Sequence, residues 1–545
     1  MSRAYFYAPA ARPVYVEMPE EDREPGDEVM CGRLRVSMYG TRDAALNWAN
    51  EYGDTLKEAG YKQGIINPCL FYHAEKDVTI LVHGDDFVAV GHESHLEETK
   101  KVLNDKYKIK VETLGDKKEE AKEIRVLNKV IRLTKEGLEL EADPRHAELV
   151  IRTLGLEESK ISATPGIKTA RYRPPGKIYD TDEKVEEEVD RQGVVKVVDR
   201  DEGDEAMSKE DAKAYRGTVA RLNYIASDRV DIQFAVKEAA RNMSNPRMCD
   251  WHALTRIGKY IKGRPRLVMK YEWQDQASMA VTYTDSDWAG CFQTGKSTSG
   301  GIITLGKHMI KSYSRQQKTI ALSSAEAELH AMVAASAETI GIVGLCKDMG
   351  IKVGGEVYAD SSAALGIAQR SGNGKVRHLR VQALWVQEVR CTKRLAYKKV
   401  LGTRNPSDIL TKHVPKELLD THLVTVGVEV MGGRAGTAPT LDQLEPYTEE
   451  WKEELKGGEE AGVGHRTTLA GRKSGSNRVK FNEVVKVRAI FAEGRQRPTK
   501  SARKQRRPPE AEAPLEALGA GRGLRGGAGP ASAGAKNFEQ KLAGA

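Results

Sequence analysis

Two apolar runs near the start of the chain, Val78-Thr79-Ile80-Leu81-Val82 and Phe87-Val88-Ala89-Val90, flank the polar tetrad His83-Gly84-Asp85-Asp86. Runs of that length and β-branched content, broken by Gly-Asp, predict a hairpin with both carboxylates at its turn. Adjacent acids in mid-strand would point to opposite faces, whereas at a turn they can converge on one metal. Taken alone, the four residues also fit a plain solvated turn. A second patterned region runs from 276 to 425. Met279 to Asp285 reads as a strand ending in acid, and 296–318 as two antiparallel strands joined at Gly306-Lys307. Ser323-Ser324-Ala325-Glu326 is a helix start, from which Leu329, Met332/Val333, Ser336, Ile340 and Val343 recur at helical spacing toward Gly350. Val357 to Asp360 is another strand ending in acid, Leu395 to Leu401 a further strand, and Pro406 to Leu410 a last short helix. After Gly427 the periodic pattern fades.

Composition narrows the class. The chain has 545 residues, 39% hydrophobic and 6% aromatic, which predicts two to four domains and some length that does not pack. No stretch is read as approaching the roughly 18 apolar residues of a membrane span, and the first residues lack a signal-peptide apolar core. An intracellular protein, cytoplasmic or nuclear and neither secreted nor membrane-bound, is expected. The six cysteines are scattered without a CxxC, which argues against a disulfide frame or a zinc site. The formal charge of +8 is unevenly placed. Residues 466–507 carry a net +12, leaving −4 on the rest, and the stretch from Asp180 to Glu205 carries −8 and reads as a solvated insertion. Beyond Pro508 the chain is Ala/Gly-rich, so 427–545 is expected to be a disordered, basic and then Ala/Gly-rich tail.

The flanks of Asp85-Asp86 carry a resemblance. SMYGTRDAALNW stands upstream, NPCLFY closer in, and the segment ending SKISATP downstream. In the same order these resemble "LYGLKQAPRAW", "D.slF", the "Y-V-D-D" hairpin and the "ck...tP" end of the reverse transcriptase of copia-type retrotransposon polyproteins. The resemblance covers roughly residues 2–165 and implies a palm and thumb fragment. In it Asp85 and Asp86 would help hold two Mg²⁺ ions that orient an incoming deoxynucleotide for phosphoryl transfer. His83 and Gly84 replace the family's usual pair, and Asp43 stands where the family has Gln. The family's earlier palm aspartate aligns just before Met1, and two carboxylates hardly neutralise two divalent ions. A truncated polymerase, poor or dead as it stands, is the expectation.

The later acids resemble a second domain of the same polyproteins. YTDSDWAG, KSTSGG, ALSSAEAELHA, YADSSAA and NPSDILTK are similar to the "YTDSDWAG…KSTSG…ALSSTEAEY…CDNQSA…ADILTK" of their ribonuclease H. By motif the resemblance implies Asp285, Glu328, Asp360 and Asp408 as catalytic metal ligands. Glu326 and Glu328 lie about 200° apart on a helix, so only one can face the metals; the motif selects Glu328. Asp285 and Asp287 share a strand face if the strand continues, and geometry alone does not separate them; the motif selects Asp285. Four converging carboxylates cannot all stay ionised without cations. The implied site holds two Mg²⁺, with Mn²⁺ able to replace it, and hydrolyses the RNA of RNA–DNA hybrids. Lys296, Lys311, Arg315 and Lys318 are candidate phosphate contacts, and equally fit ordinary solvated strand positions.

The expected organisation is therefore α/β and α+β multidomain. It comprises a reverse transcriptase palm/thumb fragment over 1–165, an acidic insertion and connection over 166–275, a ribonuclease H-like mixed sheet with helices over 276–426, and the tail over 427–545. Template-primer and hybrid nucleic acids are the expected partners. Two short tail features stand outside the resemblance. Residues 500–507 could be a nuclear-import or nucleic-acid patch or a solvated run, and Arg478-Val479-Lys480-Phe481 resembles the R-V-x-F peptide that docks onto protein phosphatase 1. The rival to a working nuclease is a decayed or repurposed element that binds nucleic acid through its basic tail without catalysis.

Overall fold

The computed structural model describes residues 4–17, 31–167, 206–291, 293–372, 374, 378, 381–441 and 486–491. All of them fall in one compact unit, Met1–Arg495. The acidic stretch 180–205, the R-V-x-F peptide and the basic run 500–507 lie outside the described residues.

A short antiparallel pair, β1 (Tyr15–Glu17) and β2 (Cys31–Arg33), precedes the helix α1 (Ala44–Glu58). The apolar runs around Asp85 then become the centre of a six-stranded sheet. Its chain order begins with β3 (Lys62–Gln63), β4 (Leu70–His73), β5 (Val78–His83) and β6 (Asp86–Gly91). After α2 (Glu93–Lys106) comes β7 (Lys110–Leu114). The β5–β6 hairpin turns on Gly84 and Asp85, with His83 paired to Asp86 and Gly84 at φ +61°. That backbone angle suits a residue without Cβ, and it is why a Gly stands where the strands reverse. The indole of Trp48 on α1 donates to the Gly84 carbonyl at 2.8 Å, tying the turn to an aromatic core of Trp48, Tyr52, Phe71 and Phe87.

The next strands, β8 (Glu123–Val126), β9 (Lys129–Leu133) and β10 (Gly137–Glu141), form a meander. Among the described residues four helices follow: α3 (Pro144–Thr153), α4 (Lys209–Ala226), α5 (Gln233–Arg241) and α6 (Met248–Gly263). Then β11 (Arg266–Glu272) returns to pair with β10. The third sheet is built from β12 (Met279–Cys291), β13 (Lys296–Leu305), β14 (His308–Gln316), β15 (Gly354–Ala359) and β16 (Ala396–Lys399), in the order β14-β13-β12-β15-β16. The first three strands are antiparallel, and β12–β15–β16 are parallel. The helices α7 (Ser324–Asp348), α8 (Ser362–Gln369) and α9 (Val381–Cys391) pack with it, α7 against β12, β13 and β15. This alternation is the mixed α/β architecture that the sequence pattern predicts.

Several expectations are amended. The helix α10 (Lys416–Thr425) leads into β17 (Val428–Met431), which pairs with β11, and β18 (Lys486–Phe491) pairs antiparallel with both β6 and β7. The supposed tail therefore contributes two strands. Each is too short to raise a periodic signal, and each gains its order from partners remote in sequence. The second sheet, ordered β17-β11-β10-β9-β8, draws strands from before residue 165, from 266–272 and from 428–431. The boundaries at 165, 275 and 426 thus cut through one sheet. A single apolar cluster joins Leu81 and Val88 of the first sheet, Ile124 and Ile131 of the second, and Ile303 and Ile342 of the third region. Helix α7 is long and apolar enough to cross a membrane, contrary to the expectation that no stretch approaches such a length. Its few charges interrupt the run, but its Ala, Leu and Met residues meet the sheet and α8, where Leu329, Met332 and Ala335 are fully buried.

Between α4 and α5, Arg229 and Asp231 form a two-pronged ion pair at 3.0 and 2.8 Å, with side chains 3% and 0% exposed. An unpartnered charge at such depth is far costlier than the pair. Asp231→Asn is therefore expected to lower stability by about 3–5 kcal/mol, measured by urea unfolding of the full chain; a loss under ~1 kcal/mol would show that Arg229 finds water or another partner.

Candidate metal centre

The centre is assembled where the parallel part of the third sheet meets two other segments, the start of α7 and a short 3-10 helix. Strand β12 alternates buried and half-buried residues up to Thr284 and Asp285, the latter 3% exposed; the strand does not end in this acid, as the pattern predicted, but runs on to Cys291. Beside it, parallel β15 ends at Ala359 and delivers Asp360 to the same edge. The start of α7, capped by Ser323 accepting from the Glu326 amide, brings in Glu328. Asp408 comes from a short 3-10 helix, Pro406–Leu410, whose cap Asn405 also donates to the Thr284 carbonyl at 3.0 Å.

That close approach depends on a residue without a side chain. A Cβ at Gly300 on β13 would stand 2.8 Å from Thr411, 2.9 Å from Leu410 and 3.1 Å from the Ser407 carbonyl. Gly300, the first glycine of KSTSGG, is therefore the floor on which the 3-10 helix rests, and it lets Asp408 come near Asp285.

Ligand oxygens of Asp285, Asp360 and Asp408 all lie within 4.8 Å of one another. Glu328 lies against them. Burial first, then the charges of Asp285 and Asp360, push its carboxyl up to about 9, although the Ser286 amide donates to it at 3.2 Å. Burial and the Asp285 charge raise Asp408 to about 6, and the same two causes raise Asp360. Asp285 is fixed by the Thr411 hydroxyl, which donates to its Oδ2. Among the described residues, Glu328 Oε2 and Asp408 Oδ1 are buried without a hydrogen-bond partner. Buried orphan oxygens beside a tight acid group are what a divalent cation with hard oxygen ligands would satisfy.

The structure thus brings Asp285, Glu328, Asp360 and Asp408 together and separates the two acids that spacing left ambiguous. Asp287 turns to the Thr298 amide, and burial raises it to about 6. Glu326 faces away from the cluster toward His378 at 3.0 Å, His330 at 3.6 Å and the Leu322 amide at 2.9 Å. Asp85 and Asp86, half-buried at the β5–β6 turn, belong to the first sheet and are not part of this group. Of the four candidate phosphate contacts, Lys311 and Arg315 bind Glu338 on α7 at 2.6 and 2.7 Å, so their charge is already engaged. They share one face of β14, and the partner across from them is an acid on a helix that strand spacing does not reveal. Lys318 is exposed and Lys296 half-buried.

One residue at the centre was not read from the sequence. Lys412 places its Nζ 3.0 Å from Asp408 and 3.7 Å from Asp285. The signal was available, since Lys412 follows Asp408 by four residues, the spacing of side-chain neighbours on a helical turn.

A family described as reverse transcriptase (RNA-dependent DNA polymerase) matches residues 1–140. The retrovirus-related Pol polyprotein from transposon TNT 1-94 of Nicotiana tabacum is 25% identical over 435 residues, covering 78% of this chain and 30% of that protein. The chain spans under a third of the length of the curated relatives it matches first. Among solved structures, LC11-RNase H1 isolated from compost is 21% identical, with 27% of this chain and 99% of that one covered and a TM-score of 0.20. The foamy viral protease-reverse transcriptase in complex with dsDNA is 11% identical, with 68% and 61% covered and a TM-score of 0.37.

The raised carboxyl of Glu328 sets a pH dependence. A carboxyl lifted from its ordinary value to about 9 holds its proton more tightly folded than unfolded. Its stabilising contribution is complete below the ordinary range and is lost as pH rises toward 9. Metal-free protein is thus expected to lose stability relative to Glu328→Gln between pH 5 and 8, by at most about 1.4 kcal/mol per pH unit. Thermal unfolding in chelator at several pH values checks this, and parallel profiles for the two proteins would contradict it.

Proposed function

From the premise that this chain belongs with the copia-type Pol polyproteins of transposons, its residues 1–140 a reverse transcriptase domain, we propose that its working centre hydrolyses the RNA strand of RNA–DNA hybrids. The observation that carries this reading is the convergence of Asp285, Asp360 and Asp408, with Glu328 against them, at one edge of the third sheet. Acids so placed serve cation-assisted phosphodiester chemistry better than proton transfer alone, because they cannot all ionise unaided.

Asp285, Glu328, Asp360 and Asp408 are the residues that would hold Mg²⁺ or Mn²⁺. Such an ion, when bound, supplies a water of lowered pKa and neutralises charge on the leaving oxygen. The chain's own contribution is placement. The Thr411 hydroxyl fixes the Asp285 carboxylate, and the Ser286 amide occupies one oxygen of Glu328 while the other is left to the pocket. Asp408 sits on a 3-10 turn held by Asn405, with its own Oδ1 unpartnered. The phosphate and 2′-hydroxyl of the RNA strand would be read by shape rather than by base.

We assign DNA synthesis a lesser place. Asp85 and Asp86 stand together at a tight hairpin inside the reverse transcriptase match, which supports a palm. Two carboxylates are few for two divalent ions, and in primer-extension assays the chain is expected to add no deoxynucleotides above background. Extension abolished by Asp85→Asn would overturn that.

For the hydrolytic centre, Asp285→Asn and Glu328→Gln are each expected to lower Mg²⁺-dependent cleavage of a labelled hybrid by about 100-fold or more. Hybrid binding by these variants should persist. Equal cleavage by wild type and both variants, or none by well-folded wild type, would refute the assignment. In the second case, loss of hybrid binding on deleting residues 466–507 would favour a purely binding role.

A further inference from the structure

Lys412 has a position that the proposed chemistry does not use. Its ammonium lies 3.0 Å from Asp408 Oδ2 and 3.7 Å from Asp285 Oδ2, bridging two of the acids that would hold metal. Two further oxygens of the same cluster are left over: Glu328 Oε2 and Asp408 Oδ1 are buried and have no partner among the described residues. One cation therefore already sits against the cluster, and it reaches only one side. The Lys412 side chain is 50% exposed, while those of Asp285 and Asp408 are 4% and 12% exposed. Its four-carbon stem is flexible and open to solvent, so the ammonium can leave without moving the backbone, whereas the acids cannot.

We propose that Lys412 is a built-in counter-cation of the carboxylate cluster, bridging Asp408 and Asp285 when metal is absent and competing with divalent ions for those oxygens. This rests on the reading of the cluster as a metal centre. It adds that the chain sets its own metal affinity through a tethered charge. An ammonium offers three donors but no open coordination position, so it neutralises the acids without replacing a metal's geometry. With a metal bound, the same oxygens are taken, and Lys412 is released toward solvent at the mouth of the pocket.

The test titrates the full chain with Mn²⁺ alone, without nucleic acid, by calorimetry, alongside thermal unfolding in chelator. Lys412→Met removes the competing charge and keeps most of the stem. It is expected to bind Mn²⁺ about tenfold more tightly, a modest effect because the lysine is half-exposed. It should also melt lower than wild type in chelator and gain more from Mn²⁺. Lys412→Arg should restore wild-type affinity, which a purely steric or structural role would not require. Should the methionine variant fail to fold, Lys412→Gln gives the same comparison. Equal or weaker Mn²⁺ binding on losing the charge overturns the proposal. If wild type binds Mn²⁺ and cleaves hybrid while the variant's affinity is unchanged, this inference falls alone. If neither protein binds Mn²⁺, the metal-centre reading falls with it.

Discussion

Mutual repulsion among buried carboxylates is the constraint on which the rest of this structure turns. Asp285, Glu328, Asp360 and Asp408 come from a strand, a helix, a second strand's end and a 3-10 turn, and burial beside the Asp285 charge disfavours the ionised forms of Glu328, Asp360 and Asp408. Nothing local rewards that arrangement. It persists because each donor is anchored by packing elsewhere: Thr282 and Thr339 are linked at 2.6 Å between β12 and α7, and Asn405 ties the last turn to β12. The apolar length of α7 follows from the same need. A helix carrying an acid into such a cluster must be gripped along its body, and Leu329, Met332 and Ala335 supply that grip.

The parallel pairing of β12 with β15 is the geometric counterpart. Parallel neighbours run in one direction, so Asp285 and Asp360, each one residue past the last parallel pair Thr284–Ala359, meet without a turn between them. Antiparallel β13 then supplies a surface rather than a ligand. Its Gly300 leaves room for the 3-10 helix to settle within reach of Asp285. A bulkier residue there would push away the only acid that comes from outside the sheet-and-helix frame.

Those local rules also explain what could be read in advance. The β5–β6 hairpin, the strand that carries Asp285, the strand ending at Ala359 and the capped start of α7 were legible, because period-two and helical spacing act over a few residues; that β12 runs past Asp285 to Cys291 was not, since the pairing of Ser286 and Asp287 with β13 carries it on. The sharing of the second sheet among residues 123–141, 266–272 and 428–431 was not, because pairing partners hundreds of residues apart leave no periodic trace. The side chosen by Glu326 was equally hidden. Its partners His378 and His330 define a separate contact, and only one of them is near it in sequence. Lys311 and Arg315 looked available as cations until Glu338 on α7 was seen opposite them.

The charge of the whole chain takes a different meaning beside this centre. The excess of positive charge lies at residues 466–507, and the remainder of the chain is slightly acidic. A polyanion approaching the cluster meets Asp and Glu side chains, with Lys311 and Arg315 already neutralised by Glu338. Attraction between exposed charges is screened over about 10 Å at ordinary ionic strength, so net charge elsewhere in a chain cannot seat a phosphate among carboxylates. That last step needs positive charge at the cluster itself. Lys412 offers one charge on one side, and the orphaned oxygens of Glu328 and Asp408 mark where more is required. The charges that set the chemistry of this centre are therefore the ones packed around it, and the net charge of the chain says little about them.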